Sequence, residues 1–153
     1  MKIRLALILI LAISYSGYTQ TKVETIKTIN ALLTAAVGTQ DSVLVKEKKS
    51  SFKVVKNMFL IDDDGSTGHF KSKLENKNES FESDNASIIK DWTGFKVHQT
   101  ENVTTLRTIY PLFKKRNGEL NNDKNGIRYY CLAGSEEKLI AALMHLQNLY
   151  SQK

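Results

Sequence analysis

A chain of 153 residues, 41% hydrophobic and 25% charged, lies in the ordinary range for a folded protein and suffices for one domain with a single core. Its formal charge of +6 is interleaved with acids, as in Lys46-Glu47-Lys48-Lys49, and forms no basic stripe with aromatics between the charges, so no nucleic-acid partner is expected. A single cysteine, Cys131, excludes an intramolecular disulfide, and a single proline, Pro111, excludes a Pro-rich linker.

The first segment has the pattern of a secretory leader. Met1-Lys2-Ile3-Arg4 is basic, Leu5 to Ile13 is apolar without a break, and Ser14 to Thr19 is small and polar apart from two tyrosines. The apolar run is about nine residues, short of the ~20 that span a bilayer, so no transmembrane anchor is expected after cleavage. Cleavage after Thr19 has Gly17 at −3, and cleavage after Ser16 has Ser14 there; the first is preferred. No cysteine follows the apolar run to accept a lipid. The expected organisation is a signal peptide over 1–19 and a single α+β domain over 20–153, acting in the periplasm or outside the cell.

Val23, Ile26, Ile29, Leu32, Leu33, Ala36 and Val37 recur at helical spacing and predict a helix. Thr21-Lys22-Val23-Glu24 fits a capping box at its start, and Gly38 a stop at its end. From Ser42 to Leu132 short β-branched and aromatic runs alternate with Gly, Asn, Asp and Lys. The predicted strands are Ser42–Lys46, Ser51–Ile61, His69–Leu74, Ser87–Lys90, Phe95–Gln99, Thr104–Tyr110 and Ile127–Leu132. Asp62-Asp63-Asp64-Gly65 and Asn121 to Gly126 read as turns. Glu75–Asn85 is polar, and reads as a loop or as a solvated strand pair hung on Phe81. The last element is a helix with Ser135 at its N-cap, Glu136 and Glu137 in its first turn, and Leu139, Ile140, Leu143, Met144, Leu146 and Tyr150 along one stripe. The order helix, about seven antiparallel strands, helix predicts an α+β domain with the last helix packed on the meander.

Seven strands closed by a C-terminal helix resemble the pleckstrin-homology-type barrel over Ser42 to Lys153. Ala142-Leu143-Met144-His145-Leu146-Gln147-Asn148-Leu149 is similar to the last helix of small exported proteins of Gram-negative bacteria. The resemblance implies a barrel or strongly curved sheet in a bacterial envelope protein. The chain departs from it in its extra N-terminal helix and in placing its tryptophan, Trp92, outside the last helix. A nuclear-transport-factor-2-type cone also begins with a helix, although that family carries more helix before its sheet.

Several residues are candidates for chemistry. Asp62 and Asp64 supply alternate oxygen ligands, but a calcium loop starting at Asp62 would meet Thr67 where Gly is needed and Lys73 where a bidentate Glu is needed. An acidic turn is the better reading. His69, His98 and His145 lack zinc-ligand spacing. His98 and Glu101 are near enough in sequence to meet, and are the first suspects if the protein is a hydrolase. Asp91-Trp92-Thr93-Gly94-Phe95 offers Trp92 and Phe95 as recognition rings, against the reading that both rings cap the core. Lys114-Lys115-Arg116 and Lys46 to Lys53 are basic runs that suit an anionic surface, or guard edge strands. Cys131 shares a strand face with Ile127 and Tyr129 and is expected to pack as a small hydrophobe.

No nucleophile elbow or Gly-rich phosphate loop occurs. The expectation is an exported accessory or binding protein without catalytic activity or cofactor, whose partner is a protein or an envelope polymer. The alternatives are a small periplasmic hydrolase and a small-molecule carrier with an apolar cavity.

Overall fold

The computed structural model describes residues 21–45, 48–99, 105–115, 117–121 and 126–152, with the backbone alone between 41 and 50. The leader and both cleavage points, Lys46, Glu101, Thr104, Arg116 and the turn residues 122–125 lie outside the described residues. Helix α1 (Lys22–Thr34) precedes strands β1 (Gln40–Val45), β2 (Lys48–Ile61), β3 (Thr67–Glu75) and β4 (Ser80–Ile88). A single 3-10 turn (Ile89–Asp91) leads to β5 (Trp92–His98), β6 (Leu106–Lys114), β7 (Leu120–Asn121) and β8 (Tyr129–Leu132), and α2 (Glu136–Ser151) ends the fold.

The α+β class and the helix–sheets–helix order agree with the sequence reading, whereas the described residues form no closed barrel. The strands make two four-stranded antiparallel sheets: β1-β2-β3-β4 in sheet 1, and β5, β7 and β8 around β6 in sheet 2. The reason lies at the Ile89–Asp91 turn, which redirects the chain so that β5 pairs with β6 instead of β4. Among the described residues eight strands stand where about seven are predicted. Ser87–Lys90 is the end of β4 running into the turn, the polar segment Glu75–Asn85 is the β3–β4 turn with the first part of β4, and β7 is additional.

Local chemistry explains the elements. Thr21 and Glu24 form the reciprocal capping box, with Glu24 N–H donating to the Thr21 hydroxyl at 3.2 Å and Thr21 N–H donating to the Glu24 carboxylate at 2.9 Å. Thr25, Ile29, Leu33 and Ala36 form the buried side of this segment, while Val23 and Val37 of the expected stripe are exposed. Gly38 takes φ 92° after the helix, and its N–H donates to Val54 O at 2.8 Å, which starts the β1–β2 pairing. At α2, Ser135 occupies the N-cap without a side-chain capping bond, and Glu136 turns to Arg107 instead, 3.2 Å away.

Strand β2 carries a bulge. Val54 pairs with Leu74 and Lys56 with Lys73, so Val55 has no partner. The extra residue slips the alternation: Phe52 and Val54 point inward before it, Asn57 and Phe59 after it. Beyond the end of β1, the freed edge of β2 is met by α1. Asn30 accepts from Phe59 N–H at 2.7 Å and donates to Phe59 O at 2.8 Å, so a side-chain amide takes the place of a neighbouring strand. Asn57, buried, donates to Leu33 O at 2.7 Å and Tyr130 O at 2.8 Å, tying α1, β2 and β8 together.

The core lies between the inner face of sheet 1, sheet 2 and the two helices. Phe59, Phe70, Trp92, Phe95 and Tyr129 form a connected set of rings with centroids 4.6–6.5 Å apart. Gly68 makes room for it: a Cβ there would lie 2.6 Å from the Phe59 ring.

Candidate functional site

Among the described residues, no helix or strand covers the outer face of sheet 1, on which Leu60 and Ile88 are exposed. Strand β4 is an edge strand whose residues alternate between exposed and half-buried, and its exposed set Ser80, Glu82, Asp84, Ala86 and Ile88 lies on the outer face. This pattern explains the polar sequence, because one side of the strand needs only water. Across the same face run Lys56, Lys71, Lys73 and His69. Lys56 and Lys73 are direct cross-strand neighbours, an unfavourable like-charge pairing that two acids relieve. Lys56 lies 4.0 Å from Glu82, and Lys73 lies 2.5 Å from Glu75. The hydrogen bond to Glu75 holds the Lys73 ammonium above its ordinary pKa.

His69 forms the densest cluster. Its Nε2 lies 2.6 Å from Asp62 and its Nδ1 3.0 Å from Asp84, while Lys71 Nζ lies 2.9 Å from the second oxygen of Asp84. Ionised carboxylates only accept hydrogen bonds, so both contacts are satisfied together only when His69 is the imidazolium. The bonds to Asp84 and then Asp62 raise the His69 pKa above its ordinary value. Lys71 first, then His69, lowers that of Asp84. A ring held at both nitrogens has neither free to take a proton from a substrate. The cluster clips the β2–β3 turn to β4. Leu60, beside His69, and Ile88, beside Thr67, place exposed apolar side chains next to it.

At the opposite end of the same face lies an open groove of about 640 Å³. Gln40, Ser51, Lys53 and Val55 form its floor and one side, and Glu75 with the turn Asn76-Lys77-Asn78 forms the other. The bulge at Val55 shapes it, since a bulge bends its strand and re-aims the neighbouring side chains. Asn76 holds the turn, accepting from the N–H groups of Asn78 at 2.8 Å and Glu79 at 2.7 Å.

The structure separates the two acidic suspects. Asp62 faces His69, whereas Asp64 accepts from Ser66 N–H at 2.8 Å and from the Ser66 hydroxyl at 3.0 Å within its own turn. Those bonds to Ser66 lower the Asp64 pKa. Among the described residues no group of three or more His, Cys, Asp or Glu is arranged to hold a metal ion. Trp92 is 1% exposed, and its indole N–H donates to the Ser87 hydroxyl at 2.9 Å. Phe95 is half-buried against Trp92 and Tyr129. His98 is exposed on β5 with its ring edge-on to Tyr110, and Glu101 lies outside the described residues. His145 is half-buried on α2. Lys114 is exposed, and Lys115 lies 3.7 Å from Glu119. Cys131 is buried, and burial pushes its thiol pKa up to about 12.

Sequence reasoning missed the His69 cluster and the groove. Asp62, His69 and Asp84 come from three places in the chain, and only the β2–β3–β4 register joins them. The one signal for the groove was the basic run that ends at Lys53. Compared with protein-family models, with curated proteins and with solved structures, the chain matches none.

Proposed function

We propose that this is an exported, non-catalytic binding protein that meets a protein or polymer of the cell envelope through the outer face of sheet 1. The observation that carries this reading is the uncovered face itself, where exposed Leu60 and Ile88 stand beside the Asp62–His69–Asp84–Lys71 cluster. Apolar side chains set among positioned charges suit a recognition surface. The engagement of both His69 nitrogens favours binding over acid–base catalysis. The connected aromatic core favours binding over the carriage of an apolar ligand, which needs an internal cavity. The pleckstrin-homology likeness enters only as layout, a four-stranded meander and a second sheet followed by a helix, and such layouts serve many functions.

The test is capture of partners from the protein's own envelope fraction with the tagged chain, wild type against the double variant Leu60→Gln/Ile88→Gln. Retention of a stoichiometric partner by the wild type and its loss from the variant supports the reading. Equal capture by both, or a co-purifying small molecule in place of a partner, overturns it.

A further inference from the structure

The groove at the far end of the outer face has its own chemistry. Lys53 and Lys77 line it, and among the described residues neither ammonium has an ion-pair partner. Lys53 stands opposite Glu75 in the β2–β3 register, but the Glu75 carboxylate is bound to Lys73. The acid in the groove is thereby neutralised from its own strand, and two lysines remain to face whatever enters. Around them are the neutral polar groups of Gln40, Ser51 and Asn78, with Gln40 Nε2 donating to the Ser51 hydroxyl at 3.1 Å. Val55 is the apolar lining residue. A volume of about 640 Å³ is within the range of small-ligand sites, and this groove is open to solvent.

Two lysines lining one groove together with amides and a hydroxyl fit a ligand that bears an anionic oxygen group next to several hydroxyls. From this we infer that the groove binds an acidic saccharide, with its carboxylate or phosphate held between Lys53 and Lys77 and its hydroxyls meeting Gln40, Ser51 and Asn78. The inference rests on the binding reading above and gives that reading a polymer ligand. Lysine acts here as a point charge, so either anion is accommodated, and binding weakens as salt rises.

The experiment is calorimetric titration of the purified full chain at low salt with four probes: oligogalacturonate, a galactose oligomer of equal length, glucose 6-phosphate and phosphatidylglycerol vesicles. The expected result is saturable binding of at least one acidic saccharide and none of the neutral oligomer. Lys53→Gln and Lys77→Gln should each weaken that binding roughly tenfold, as loss of a charge-assisted contact does. Lys96→Gln, an exposed lysine on β5, should leave it unchanged. All three lysines are on the surface, so a thermal melt serves as the folding control. Equal affinity for the neutral oligomer, binding that survives the double variant Lys53→Gln/Lys77→Gln, binding to vesicles alone, or no binding at all would each overturn the inference. If the Leu60→Gln/Ile88→Gln variant still loses a captured partner while the saccharides fail, only the groove assignment falls, because those two residues lie at the other end of the face.

Discussion

Replacing Trp92 with alanine separates a core ring from a recognition ring. The indole is 1% exposed and packs against Phe95 at 5.5 Å, Phe59 at 6.1 Å and Tyr129 at 6.5 Å between centroids. Removing a buried ring of this size costs about 3–5 kcal/mol, through lost transfer energy and the cavity left behind. The ring contacts account for part of that sum, at about 0.5–1.5 kcal/mol per pair. The indole N–H bond adds little, because its acceptor Ser87 is half-buried and can turn to water. Against a total stability of about 5–15 kcal/mol, the loss is large. At this chain length it corresponds to a fall in melting temperature of about 6–20 °C. Far-UV circular dichroism during heating and a urea midpoint measure it. Trp92→Phe, which keeps a ring in the site, should recover more than half. Trp92 is the only tryptophan, so its emission reports the environment directly: blue-shifted when native, moving to the red in the same transition. A destabilisation below about 1 kcal/mol for Trp92→Ala would refute the core assignment. Loss of partner capture at unchanged stability would return Trp92 to the binding surface.

Four further outcomes are expected. Gly68→Ala brings a Cβ within 2.6 Å of the Phe59 ring and 3.3 Å of Ile89 Cγ1, so Phe59 must shift at an overpacking cost of about 1–3 kcal/mol, read as a lower urea midpoint. The His69 pKa is raised in the folded state, so its contribution is full below its ordinary value of about 6.5 and is lost as pH rises through the raised value. Melting temperature should therefore decline as pH rises from about 6.5 through the raised value, by the modest amount typical of exposed pairs, and His69→Gln should flatten the decline. For Asp84, whose pKa is lowered, the contribution is present above its unfolded pKa and is lost as pH falls through the folded one; Asp84→Asn should flatten the acid limb. Cys131, buried with its thiol pKa near 12, should resist iodoacetamide at pH 8 in native protein and react once the chain is unfolded in urea.

Local signals in the chain sufficed for the elements. The capping box at Thr21 and Glu24, the helical spacing of Ile29 and Leu33, the turn at Asp64-Gly65 and the apolar stripe of α2 are each written in a few neighbouring residues, and each appears where it is read. The α+β class follows from their order. Other features depend on partners distant in sequence. The Val55 bulge reverses which β2 residues face inward, and it arises from pairing with β3. The division into two sheets depends on β5 choosing β6 over β4, and Trp92 is drawn inward by rings from β2 and β8. The same holds for function. Asp62, His69 and Asp84 meet because an antiparallel register aligns them, and the groove forms where Ser51, Lys53 and Val55 of β2 come beside the β3–β4 turn. Helix caps and periodicity are short-range physics carried by adjacent residues, whereas register, burial and clefts arise only when separate segments pack, and those decide where this protein can meet another molecule.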